Sequence, residues 1–144
     1  MLVRVESTVT VANSSGPQLD QGALLRLLGE MTWMPTALID RRYVRWSAVD
    51  DHRARATLSI NGREVTGVIE FGGDDLPMSF TAERYRDVGG GQSVLTPFIG
   101  RSSDYRFVSG VLVPFHVVGA WIVENHPIEY ADFVVEELVF DRHP

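Results

Sequence analysis

Apolar and polar residues alternate along most of the chain, and this period of two is typical of half-buried β-strands. The alternation is present in residues 1–12, where valines at every second position share one side. It returns after Arg41 and continues almost to the carboxyl end. It predicts strands over residues 1–12, 42–49, 53–60, 63–71, 77–87, 93–107, 111–123 and 128–140. The chain is therefore expected to form about eight strands.

One segment has helical periodicity instead. Four apolar residues there recur at spacings of three and four, which places them on one face of a helix. They are Leu24, Leu27, Leu28 and Met31. The spacing predicts one main α-helix over about residues 20–32, with Asp20 as the amino-terminal cap and Pro35 ending it near Trp33.

Three turns set the order and register of the predicted strands. Asn61-Gly62 is the preferred pair for a two-residue type I′ turn, and it places Leu58 opposite Val65. Ser109-Gly110 predicts a second hairpin, in which Ser103 is opposite His116. Glu124-Asn125-His126-Pro127 predicts a third, as a four-residue loop. Consecutive hairpins of this kind indicate an antiparallel sheet.

The strand over 111–123 is apolar on both of its faces, although an antiparallel sheet commonly has one wet side. Each face then needs a cover, such as the helix on one and a cavity, a ligand or a second copy on the other. We therefore predict a single α+β domain over residues 1–144. Its expected architecture is a strongly curved antiparallel sheet, a half-barrel or barrel of about eight strands, with the helix packed on it.

Composition excludes several kinds of chemistry. The chain has 13 arginines, no lysine and no cysteine, so a Schiff-base lysine, a phosphate-binding P-loop, a disulfide and a thiolate metal site are all excluded. The formal net charge of −6 argues against a nucleic-acid partner. The charged start of the chain lacks an export signal, and no segment has the length of a membrane span, so a cytoplasmic location is expected. The four histidines are scattered, so no metal or other cofactor is expected.

Two sets of residues are candidates for chemistry. His116, with hydroxyl neighbours in an apolar setting, is the candidate general base, and it heads a catalytic set completed by Tyr105, Asp104 and Arg84. The opposite face of the same hairpins is expected to hold Asp104, Arg106, Phe115, Trp121, Tyr130, Asp132 and Glu136. Aromatic side chains with a few charges suit an amphipathic ligand. The candidate ligand-binding residues are Trp33, Met34, Trp46, Arg84, Arg106, Phe115, Trp121 and Tyr130.

A set of short motifs in a fixed order resembles an uncharacterised bacterial family of unknown function, from about Ser15 to Phe140. The motifs are WMPTALID at 33–40, VRW at 44–46 with VDD at 49–51, RATL at 55–58, ERYR at 83–86, TPF at 96–98, SDYR at 103–106 and GVLVP at 110–114. The resemblance implies that the chain corresponds to the carboxy-terminal part of longer relatives. It also implies an outline similar to the half-barrels that carry bacterial lipoproteins and lipids.

Three functions fit these observations. The first is non-catalytic binding of a hydrophobic or amphipathic small molecule in a cavity of the curved sheet. The second is a small cofactor-independent enzyme, a cyclase or isomerase of bacterial secondary metabolism, that orders a flexible substrate. The third is a homodimeric structural module in which the second apolar face is the subunit interface.

Overall fold

The computed structural model describes residues 17–140, with side chains from Asp20 onward. The predicted strand over residues 1–12 lies outside this range. The elements begin with helix α1 (Pro17–Glu30), a single turn of 3-10 helix (Met31–Trp33) and the short helix α2 (Pro35–Leu38). Seven strands follow: β1 (Val44–Ala48), β2 (Arg53–Ile60), β3 (Arg63–Phe71), β4 (Pro77–Gly89), β5 (Gln92–Val108), β6 (Val111–Val123) and β7 (His126–Val134).

The strands form one antiparallel sheet in the order β1-β2-β3-β4-β5-β6-β7, so each pairs with its neighbours in sequence. The Asn61-Gly62 turn gives the predicted register, with Leu58 opposite Val65. Both of its residues have the positive φ that a type I′ turn requires, 51° and 75°. The register predicted from Ser109-Gly110 is confirmed as well, since Ser103 pairs with His116.

The predicted half-barrel or barrel is wrong, because the sheet is neither closed nor strongly curled. Its first and last strands, β1 and β7, are not paired with each other. Pairing between β3 and β4 covers Val68–Phe71 with Pro77–Thr81. Within residues 17–140, the rest of β4 pairs with β5 alone. Periodicity shows which side chains share a face, but the coiling of a sheet depends on how far each pair of strands stays together.

Two boundaries differ from the prediction. Helix α1 begins at Pro17, so Asp20 lies inside its first turn and is not the cap. A proline suits the start of a helix because the amide it lacks has no partner there. The last hairpin has the two-residue turn Glu124-Asn125, both with positive φ, in place of the predicted four-residue loop. Strand β7 ends at Val134, so Glu136 lies beyond the sheet.

The core lies between α1 and one face of the sheet, called here the helix face. Leu25 and Leu28 of the helix, together with Met31 of the 3-10 turn, pack against strand residues that include Leu58 and Ile69. The opposite face of the sheet is called the outer face. No residue of β6 is fully exposed, in agreement with the two-sided apolar pattern of its sequence.

Candidate functional site

The helix face carries an arginine surrounded by aromatic rings, called here the Arg84 cluster: Arg84, Phe98, Trp121 and Tyr130. The guanidinium carbon of Arg84 lies 4.8 Å from the centre of the Phe98 ring and 5.5 Å from that of Trp121. Its Nη1 donates to the Tyr130 hydroxyl at 3.3 Å. Strand pairing explains the arrangement, because Phe98 is opposite Trp121 and Arg84 is opposite Thr96, two residues from Phe98.

A β-bulge brings Tyr130 into this cluster. Ala120 pairs with Glu129 and Gly119 pairs with Ala131, so Tyr130 is an extra residue in β7. Its ring stacks on Trp121 with the centroids 5.5 Å apart and the planes at 24°. Both the Tyr130 and Phe98 rings lie close to Gly119, since a Cβ there would be in ordinary van der Waals contact with each, at 3.5 Å.

Arg84 lacks a carboxylate partner among residues 20–140, whereas six other arginines there are ion-paired. The pairs are Arg26–Glu30, Arg42–Asp40, Arg45–Glu64, Arg53–Asp50, Arg63–Asp20 and Arg106–Asp104. The Nε atoms of Arg84 and Arg86 are buried without a hydrogen-bond acceptor in the described part of the chain. Among the described residues, the charge of Arg84 therefore faces π-electrons and a phenol, but no anion.

The other predicted binding residues occupy separate places. Arg106 lies over the Phe115 ring, 4.6 Å from its centre, and pairs with Asp104. This ion pair lowers the pKa of the Asp104 carboxyl, chiefly through the hydrogen bonds from Arg106. Trp33 donates its indole N–H to the backbone oxygen of Pro114 at 2.8 Å and thereby ties the 3-10 helix to β6.

Trp46 lies at another part of the core. Its indole N–H donates to the backbone oxygen of Leu38 at 2.8 Å, and its ring contacts Phe71. Met34 links the 3-10 helix to α2. Of the eight predicted ligand-binding residues, the structure therefore brings Arg84, Trp121 and Tyr130 together. Sequence reasoning omitted Phe98, although its register position opposite Trp121 follows from the Ser109-Gly110 turn.

The four predicted catalytic residues are divided between the two faces. His116 and Tyr105 project from the outer face, whereas Arg84 belongs to the helix face. Asp104 has a positive φ and lines the same surface groove as Tyr105. The Tyr105 hydroxyl donates to the backbone oxygen of Pro77 at 2.6 Å, and burial raises the pKa of this phenol to about 12. Tyr105 is therefore neutral near pH 7, and its proton is held by a structural hydrogen bond.

His116 has a carboxylate neighbour that the sequence analysis did not predict. Asp132 was predicted on the opposite face, but its Oδ1 lies 2.7 Å from His116 Nε2. The prediction was wrong because the extra residue Tyr130 shifts the pairing, so that Asp132 is opposite Val118 on the outer face. A one-residue shift in a strand moves every following side chain to the other face.

An open antiparallel sheet with helix α1 packed on one face defines a small α+β fold. The chain belongs to DUF6544, a family of unknown function, whose model matches residues 1–133. This confirms the family resemblance seen in the sequence. No curated protein and no solved structure matches the chain, so the expected likeness to lipoprotein carriers has no support.

Two further properties hold for residues 17–140. No helix in this range is long and apolar enough to cross a membrane. No three histidine, aspartate or glutamate side chains within it come together in a way that would hold a metal ion.

Proposed function

We propose that the protein binds a small amphipathic molecule with an anionic head group, without converting it, at the Arg84 cluster. The observation that carries the proposal is the unpaired charge of Arg84 in a half-buried aromatic setting. Removing a guanidinium from water into this setting costs free energy. The faces of the aromatic rings offset only part of that cost, by about 0.5–2 kcal/mol. A carboxylate offers charge-assisted, bidentate hydrogen bonds that suit the same group better.

The surface beside Arg84 suits the apolar part of such a ligand. Tyr130 is 52% exposed, and Ile128, which pairs with Trp121, is 50% exposed. A half-exposed aromatic ring therefore contacts Arg84, and a half-exposed aliphatic side chain lies on the same strand as that ring, opposite Trp121 of the cluster. Apolar area of this kind contributes roughly 25 cal/mol per Å² when a ligand covers it.

Thermal unfolding with decanoate and 1-decanol tests the proposal, because the two molecules differ only in the head group. We expect decanoate, and other carboxylates of similar size, to raise the melting temperature much more than the alcohol. A ligand present at 100 times its Kd adds about 2.7 kcal/mol to the free energy of unfolding. Arg84→Gln removes the charge and is expected to abolish the difference between acid and alcohol.

Arg26→Gln is the matched control, since Arg26 is an exposed arginine on α1 that pairs with Glu30. This variant should respond to decanoate as the unaltered protein does. If none of a series of aliphatic and aromatic carboxylates raises the melting temperature, the proposal is wrong. It is equally wrong if Arg84→Gln binds them as tightly as the unaltered protein.

The two alternatives from the sequence remain proposals with less support. A cyclase or isomerase using His116, Tyr105, Asp104 and Arg84 as one set would need groups from both faces of the sheet to reach one substrate. A homodimer would use the second apolar face of β6, on the outer face of the sheet, as the subunit interface, and Val134 beside it on β7 is 68% exposed. Sedimentation at micromolar concentration distinguishes a dimer from a monomer.

A further inference from the structure

The outer face holds a serine, a histidine and an aspartate joined by hydrogen bonds, called here the Ser103 triad. Ser103 Oγ lies 3.3 Å from His116 Nδ1, and Asp132 Oδ1 lies 2.7 Å from His116 Nε2. The three residues come from the adjacent strands β5, β6 and β7. They are separate from the Arg84 cluster, which lies on the other face.

The hydrogen bonds define the direction of proton transfer. An ionised carboxylate only accepts hydrogen bonds, so the short contact to Asp132 places the imidazole proton on Nε2. Nδ1 is then left with a free lone pair that faces the hydroxyl of Ser103. A nucleophile, a base and a carboxylate that orients the base are thus in the order required for nucleophilic catalysis. The two ring nitrogens have exchanged the roles they have in the serine proteases.

A groove beside Ser103 offers a place for a substrate. Its volume is about 540 Å³, within the range that small molecules occupy, and it is open to solvent. Leu76, Pro77 and Met78 supply its apolar wall, and Ser103 forms part of its lining. Ser103 itself is exposed, so a bound carbonyl group has access to its hydroxyl.

Charges of both signs lie near Ser103. Arg101 is two residues before Ser103 on the same strand and face, opposite Val118, which in turn pairs with Asp132. A cation on this face favours the negative oxygen that forms when a hydroxyl adds to a carbonyl. The groove itself is lined by the carboxylates Asp74 and Asp104, so an uncharged ester suits it better than an anionic substrate.

We propose that the Ser103 triad hydrolyses small carboxylic esters by way of an acyl-serine intermediate. Ser103 Oγ forms a bond to the ester carbonyl carbon while its proton passes to His116 Nδ1. The carbon–alkoxide bond breaks, and the leaving alcohol takes that proton. Water then adds to the acyl-serine ester, its proton passes through His116 to Ser103 Oγ, and the carboxylic acid leaves. The sum is ester plus water giving acid plus alcohol.

Two probes test this on the full chain: p-nitrophenyl acetate and an alkyl fluorophosphonate. We expect hydrolysis of the ester, and covalent labelling of Ser103 with loss of fluoride, identified by peptide mass spectrometry. Ser103→Ala and His116→Ala should lose both reactions. Asp132→Asn should lower kcat/KM by at least about 100-fold, because the amide no longer holds the required tautomer.

Ser93→Ala is the matched control, since Ser93 is an exposed serine on the same strand β5 and outside the groove. It should keep the hydrolytic rate and the labelling of the unaltered protein. Circular dichroism of each variant establishes that the fold is retained. Ester turnover and labelling no greater than in Ser103→Ala would overturn the proposal, as would labelling confined to another residue.

Discussion

The ring of Phe80 is held between two glycines, and this arrangement makes Gly67 the most informative position for a single substitution. A Cβ on Gly67 would overlap Cε2 of Phe80, and it would lie 2.5 Å from Cζ of the ring and 3.1 Å from the backbone oxygen of Thr81. On another edge of the ring, a Cβ on Gly29 of α1 would be 3.3 Å from Phe80 Cδ1. Phe80 is 5% exposed and also packs edge-on against Phe98.

Gly67→Ala is therefore expected to destabilise the fold. Because the ring has the helix on one edge and Phe98 beside it, it has little room to withdraw from the new methyl group. Overpacking of this kind costs about 1–3 kcal/mol, and the gain from replacing glycine inside a strand offsets about 0.5–1 kcal/mol. The expected net loss in the free energy of unfolding is roughly 1–2 kcal/mol, which lowers the melting temperature by about 3–8 °C.

Urea unfolding followed by circular dichroism measures this loss, with Gly22→Ala as control. No described atom outside the helix's own backbone lies within 4 Å of a Cβ built on Gly22, so alanine should stabilise the helix there by about 1 kcal/mol. The two alanines are thus expected to have opposite signs. In a Phe80→Leu background the cost of Gly67→Ala should shrink by about 1 kcal/mol, since the ring edge is gone. A neutral or stabilising Gly67→Ala would refute the packing argument.

Two other substitutions test the core and the surface charges. Leu58 is completely buried, so Leu58→Ala should cost about 2–5 kcal/mol in urea unfolding, whereas Val94→Ala, at a half-exposed site, should cost under about 0.5 kcal/mol. Arg106 holds the pKa of the Asp104 carboxyl below its usual 3.8 in the folded protein. As pH falls, the unfolded chain therefore takes up a proton at this carboxyl at a higher pH than the folded protein does. Its ion pair therefore adds stability above pH 3.8 that is lost as pH falls through the lower native pKa. In a plot of melting temperature against pH, Asp104→Asn should reduce the fall between pH 5 and pH 2. A profile that stays the same would contradict a stabilising role for the Asp104–Arg106 ion pair.

Much of the sheet follows from local sequence signals. The turns at Asn61-Gly62 and Ser109-Gly110 fix the registers of two hairpins. A two-residue loop allows only one register between the two strands that it joins. The register of the second hairpin makes Ser103 the partner of His116. The same register identifies Phe98 as the partner of Trp121, and so as a member of the Arg84 cluster.

The curvature of the sheet and the place of Asp132 were not predictable in this way. Pairing of β3 with β4 stops at Val68 and Thr81, and the alternating pattern of a sequence is the same whether strands stay paired or separate. The bulge at Tyr130 adds one residue to β7 without breaking the alternation in an obvious manner. It nevertheless moves Asp132 to the outer face, where it meets His116.

The sequence by itself determined the order of the strands, the face of most side chains and the absence of thiol and lysine chemistry. These depend on the period of two, on turn residues and on composition, all of which are local. The tertiary structure alone decided that the sheet stays open, that Arg84 lies among three aromatic rings, and that Ser103, His116 and Asp132 form a chain of hydrogen bonds. Each of these depends on how separate strands are packed and shifted against one another, and a single inserted residue is enough to change the result.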